Sequence, residues 1–197
     1  MYVATLIANS KNRNLSELIL KQVVNDLGGV KYKVLDDNIA IDINLVSEPS
    51  NFEIVWKQLQ KHQIDMVLQP IKNRRKNILL ADMDSTIIEQ ECIDELADEA
   101  GVGKRVAEIT KRAMNGEMDF EDALIERVKL LTGLNSDIIV DVLKGRITLM
   151  PGAESLIKTM KRNGSYCALV SGGFTDFTEA ISKMLGFDEN RANTLLH

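Results

Sequence analysis

The segment "NILLADMDST", residues 77–86, narrows the possible folds more than any other. Its apolar run Ile78–Ala81 shows no polar alternation, as in a buried strand of a parallel α/β sheet. The run ends on two carboxylates, Asp82 and Asp84, with Ser85 and Thr86 directly behind them. In an open parallel sheet, ligands bind beyond the carboxyl ends of the strands, so acids there stand at a reaction site. One acid can attack phosphorus to form an aspartyl-phosphate while the other shuttles a proton. Magnesium, a cation that prefers oxygen ligands, would offset the charges gathered there. A lone DxD, however, favours a solvated turn, because Asp and Ser are common turn residues.

"VSGGF" (170–174) shifts that balance. It is a second strand end, with a hydroxyl, two glycines and then a helix start. Small residues let backbone N–H groups approach a phosphate, and a helix N-terminus attracts an anion. Two such strand tips make phosphoryl chemistry the better reading. Between them, residues 89–144 carry only helical periodicity, punctuated by Gly101, Gly103, Gly116, Gly133 and Gly145. This predicts a Rossmann-like α/β core with a helical insertion after its first strand.

The first seventy residues follow another pattern. "YVATLIA" (2–8) reads as a strand, and Leu15, Leu18, Ile19, Val23 and Leu27 recur at helical spacing before "GG" stops the helix. Segments 30–35 and 39–46 predict a hairpin around Asp36, Asp37 and Asn38. Phe52, Val55, Trp56 and Leu59 mark a second helix, and "IDMVLQP" (64–70) a closing strand. The order βαββαβ is the split, ferredoxin-like α+β arrangement. It resembles an ACT-type domain, a module often used to bind amino acids; a structural or dimerisation role is about as well supported. "IKNRRKN" (71–77) then reads as a solvated boundary, giving domains 1–73 and 74–197 with a helical cap at about 89–146.

Composition narrows the function classes. The 197 residues carry a net charge of −5 with no basic stripe, which argues against nucleic-acid binding. Cys92 and Cys167 form no CxxC pair, so buried filler in a reducing compartment is expected. No apolar stretch approaches the roughly 18 residues of a membrane helix. The start lacks the basic and long apolar regions of a signal peptide, so a cytoplasmic protein without membrane contact is expected.

"DMDST" followed by "VSGGF" resembles motifs I and II of the haloacid-dehalogenase (HAD) superfamily. The longer run from "ADMDSTIIEQECIDELA" through "SGGFTDF" to "RANTL" is similar to the phosphoserine phosphatases of that superfamily, in the bacterial form with a preceding ACT-like domain. The resemblance implies hydrolysis of O-phospho-L-serine through an aspartyl-phosphate, the last step of serine biosynthesis, with magnesium as cofactor. It makes Asp82 the nucleophile and Asp84 the general acid and base, with the Asp82 carboxylate and the Asp84 carbonyl on the metal. It places Ser171 and the Gly172 N–H on the phosphoryl oxygens, Glu91 on the substrate ammonium and Arg127 on its carboxylate. Met114 and Phe120 would shield the site, and a homodimer follows by analogy. The family continues to a lysine (motif III) and a "GDGxND"-type segment (motif IV). These 197 residues hold neither, so an incomplete core and impaired activity are expected. The rival readings are a non-catalytic amino-acid-binding or interaction remnant, and a related phosphatase for another small phosphomonoester.

Overall fold

A computed structural model describes residues 1–196. The chain divides into two compact units, Met1–Arg75 and the remainder from Lys76. The first comprises β1 (Tyr2–Ala8), α1 (Glu17–Leu27), β2 (Lys31–Asp36), β3 (Ala40–Leu45), α2 (Phe52–Gln60) and β4 (Ile64–Pro70). The strands form one antiparallel sheet in the order β2-β3-β1-β4. Period-2 alternation puts Ala4, Leu6, Ile41, Ile43, Ile64 and Met66 against Leu20, Val23 and Leu27 of α1 and Val55 and Leu59 of α2. Helix α1 starts where the Ser16 hydroxyl accepts the Ile19 N–H, and it stops at Gly28, whose φ of 68° suits glycine. Asn38, at φ 58°, turns the β2–β3 hairpin where the sequence places it.

Two sequence expectations are corrected in this unit. Leu18 lies on the solvent side of α1, and Leu20 takes the core place instead; Trp56 is likewise more than a third exposed. The boundary segment is not simply solvated. Arg74 folds back onto the sheet, where its guanidinium grips Asp42 through two hydrogen bonds, 2.6 and 2.8 Å, and reaches Thr5 Oγ1 at 3.0 Å. Thr5 donates in turn to Asp42 at 2.7 Å. Both Thr5 and Asp42 are buried, so the charge is removed from water only because it is fully partnered. Burial pushes the Asp42 carboxyl up, but the bonds from Arg74 and Thr5 and the nearby cations outweigh it and hold it below the ordinary range.

The second unit opens with β5 (Ile78–Ala81) and runs through α3 (Cys92–Glu99), α4 (Gly103–Met114), α5 (Phe120–Lys129) and α6 (Asp137–Gly145). It continues with α7 (Ala153–Arg162), β6 (Tyr166–Phe174), α8 (Thr175–Leu185) and β7 (Glu189–Asn193). The strands are parallel in the order β5-β6-β7. Ala81 and Leu169 join Ile157 of α7 and Phe177, Ile181 and Leu185 of α8 in one core. β5 buries only one face, and the other is left uncovered, as expected of a core with so few strands. Ile78 and Leu80 are 64% and 69% exposed, because no described element of this unit packs on that side of the edge strand.

The four helices α3–α6 leave and rejoin the core through a narrow stem. Ile88 bridges Leu149, the Glu89 amide donates to Thr148 O, and the Gln90 side chain both donates to and accepts from Thr148. These contacts tie the two ends of the helical excursion together beside β5. Both cysteines are buried and free. No helix among the described residues is long and apolar enough to cross a membrane.

Candidate active site

Strand β5 ends at Ala81, so Asp82 emerges at the carboxyl tip of the sheet, exposed to solvent. The Met83 N–H donates to Asp82 Oδ1 at 2.8 Å, which fixes the carboxylate against its own backbone. Met83 itself is fully buried, and its carbonyl accepts from the amides of Thr86, Ile87 and Ile88. The chain therefore turns tightly and presents Asp84 to the same space as Asp82. Asp84 Oδ2 accepts the Cys92 N–H at 3.2 Å, while the buried Oδ1 has no hydrogen-bond partner among the described residues. Burial pushes the Asp84 carboxyl up to about 6, partly opposed by the Cys92 hydrogen bonds and reinforced by Glu91 and Asp82.

The end of β6 forms the opposite wall. The Gly173 N–H donates to Ser171 Oγ at 2.9 Å, and Asn193 Nδ2 donates to the Gly172 carbonyl at 2.8 Å. A side chain at Gly172 would meet the Phe120 ring at 3.2 Å, and one at Gly173 would lie 3.4 Å from Asp84. Glycine thus keeps the backbone close to the carboxylates. Helix α8 begins immediately behind this wall, so its N-terminal amides add positive potential there.

One cavity of about 380 Å³ joins these parts, lined by Asp82, Asp84, Glu91, Ile93, Phe120, Leu124, Arg127 and Ser171–Phe174. The six site residues read from the sequence, Asp82, Asp84, Glu91, Arg127, Ser171 and Gly172, all line it. Arg127, on α5, is steadied by its Nε donating to Ala123 O at 3.2 Å and by Nη1 lying 3.5 Å from Thr110 Oγ1 of α4. Phe120 lines the cavity although 64% of it remains exposed. Met114 does not line it; as the last residue of α4 it is 85% exposed and makes no shield. Asp188 stands at the other end of the sheet, where it accepts the Cys167 N–H and pairs with Lys161. It has no part in this site.

Two residues that the sequence reading gave no role belong to the arrangement. Ser85 has a left-handed backbone at φ 50° and donates to Glu91 Oε1 at 2.6 Å. Asn193 sits in "RANTL", but only the fold shows its amide on Gly172. The signal for Ser85 was its place between the second acid and the helix start, where Ser is an ordinary turn residue.

Asp82 and Asp84, which line the cavity, are the residues there whose hard oxygens could hold a metal ion. No group of three or more His, Cys, Asp or Glu among the described residues is arranged to hold an ion. Two oxygens suit magnesium, which keeps several waters and shares its shell with a phosphate.

Comparison with known proteins bears on the family of the chain. Residues 79–196 match the family model for haloacid dehalogenase-like hydrolases. The phosphoserine phosphatase of Archaeoglobus fulgidus is 44% identical over 141 residues, 71% of this chain and 41% of the relative. That of Saccharomyces cerevisiae is 32% identical over 207 residues, 98% of this chain and 67% of the relative. A solved structure described as the phospho-aspartyl intermediate analogue of phosphoserine phosphatase superimposes with a TM-score of 0.57 at 44% identity, covering 63% of this chain and 59% of its own. The chain matches about two fifths of the length of the archaeal relative.

Proposed function

The chain belongs to the haloacid dehalogenase-like hydrolase family, and from that premise we propose that it serves the hydrolysis of O-phospho-L-serine to L-serine and phosphate, the closing step of serine biosynthesis. The observation that carries this reading is the single cavity in which a carboxylate pair and a glycine-rich strand end face Glu91 and Arg127. Phosphoserine bears a phosphate, an ammonium and a carboxylate, and the cavity offers a complement to each. Arginine suits the carboxylate because its planar fork can bind both oxygens.

In this reading Asp82 attacks phosphorus, the bond from phosphorus to the serine oxygen breaks, and Asp84 gives that oxygen its proton. Water then attacks the aspartyl-phosphate while Asp84 takes a proton back, which restores both acids and releases phosphate. Ser171 and the Gly172 N–H hold the phosphoryl oxygens through both steps. Magnesium, held by the Asp82 carboxylate and the Asp84 carbonyl, would supply positive charge against the crowded anions.

Finer features belong to the same proposal. Residues 1–73 are read as an ACT-like module with residues 74–197 as phosphatase core, and α3–α6 as a cap over the site. A cytoplasmic location, a possible homodimer and no nucleic-acid or membrane partner complete it.

The test is a substrate panel with magnesium present. L-phosphoserine should be preferred over 3-phosphoglycerate, which lacks the amine, and over phosphoethanolamine, which lacks the carboxylate. Equal turnover of all three would favour a less selective phosphatase. Binding without any phosphate release would favour the non-catalytic reading.

A further inference from the structure

Glu91 is the N-cap residue of α3, yet its side chain makes no hydrogen bond to its own helix. The shorter side chains of Ser, Thr, Asp and Asn are the ones that turn back from this position onto the second or third amide. Here the carboxylate is drawn the other way, across the turn, by the Ser85 hydroxyl at 2.6 Å. That distance is in the range of a charge-assisted O–H···O⁻ bond. Ser85 reaches it from φ 50°, a region that residues with a Cβ seldom occupy, and its amide closes the turn onto Gln90 O at 3.1 Å. A left-handed backbone at Ser85 thus serves this contact.

The contact has a use in the cavity. Asp82, Asp84 and Glu91 share that space, and mutual repulsion would drive an unheld Glu91 outward into water. The Ser85 bond occupies Oε1 and leaves Oε2 free to accept from a ligand. We infer that Ser85 is a positioning residue: it aims the Glu91 carboxylate at the ammonium of an amino-acid phosphomonoester and so sets the preference for amine-bearing substrates. The inference rests on the phosphoserine reading above.

The experiment compares kcat/KM for L-phosphoserine with that for 3-phosphoglycerate, where a hydroxyl replaces the ammonium. If turnover is slow, the ratio is taken from Kd values measured by calorimetry with magnesium. Ser85→Ala removes the hydroxyl, and Ser85→Gly removes it while relieving the left-handed backbone. Ser85→Asn tolerates that backbone and returns a donor. The ratio should fall on the order of tenfold for Ala and Gly, the scale of one lost bond to a charged group. It should recover in part for Asn. In a Glu91→Ala background, Ser85→Gly should change it no further, because the two residues act as one unit.

A wild-type preference that survives Ser85→Gly overturns the inference alone, and so does a loss that persists in the Glu91→Ala background. Absence of any wild-type preference overturns both the inference and the phosphoserine reading.

Discussion

Replacing Arg74 by alanine should destabilise the first unit well beyond what a surface ion pair would. Three hydrogen bonds leave with the guanidinium, two of them to a carboxylate. Asp42, whose side chain is 11% exposed, keeps only the Thr5 hydroxyl, while the lost Arg74 side chain was 33% exposed. Breaking a fully buried pair costs about 3–5 kcal/mol and an exposed one about 0.2–1. The partial exposure of Arg74 lets water reach the orphaned acid, which places this loss between the two, at about 2 kcal/mol. With a urea m-value of about 1 kcal/mol/M for a unit of this size, the midpoint should fall by about 2 M. Trp56 is the chain's only tryptophan and lies in α2, so its fluorescence reports this unit specifically. Arg74→Lys should recover part of the loss, since it keeps the charge but not the two-pronged geometry. The sign with pH follows from the depressed folded pKa of Asp42. Its contribution is present above the unfolded value of about 4 and is lost as pH falls through the lower folded value. The gap between wild type and Arg74→Ala should therefore close in strong acid. A midpoint shift under about 0.5 M at pH 7, or a gap that widens in acid, would refute the buried-clamp reasoning.

Other substitutions probe the site and the packing. Arg127→Ala should weaken phosphoserine relative to phosphoethanolamine by about 10- to 150-fold, the range for a lost charged hydrogen-bond partner; equal losses in steady-state kinetics would make Arg127 a support for the helices only. Asp84→Asn should slow turnover by about 10²–10⁴-fold through lost proton transfer, read as kcat. Gly29→Ala places a methyl 2.6 Å from Ile43 Cγ2 and 3.2 Å from Val24 Cγ1, with Ile43 fully buried. It should cost about 1–3 kcal/mol by overpacking, again read through Trp56 in urea.

Much of this arrangement was legible before folding, for definable reasons. The hairpin and the β5 and β6 ends are written in local signals: alternation, turn residues, and apolar runs closed by acids or glycines. Helix α1 shows the limit of periodicity. Leu18 and Leu20 both fit an apolar tally, and only the angular position relative to Val23 and Leu27 decides between them. Strand β7, "ENRAN", has no alternation at all and exists because β6 offers it a parallel edge. Arg74 looked solvated because its partners, Thr5 and Asp42, lie 69 and 32 residues away. Met114 was placed at the site by resemblance, but the end of α4 turns it to solvent. The Ser85–Glu91 bond depends on a positive φ at a residue type that does not advertise one.

The most direct test of the account asks where the phosphoryl group goes. The chain would be mixed with L-phosphoserine and magnesium, quenched in acid during turnover, reduced with borohydride, and its peptides examined by mass spectrometry. Attack by a carboxylate leaves an acyl phosphate, which borohydride converts to homoserine. The account predicts that conversion at Asp82, with none at Asp84 and none in Asp82→Asn, which should also release no phosphate. Phosphate release with Asp82 unmodified, or the label on any other residue, would contradict it.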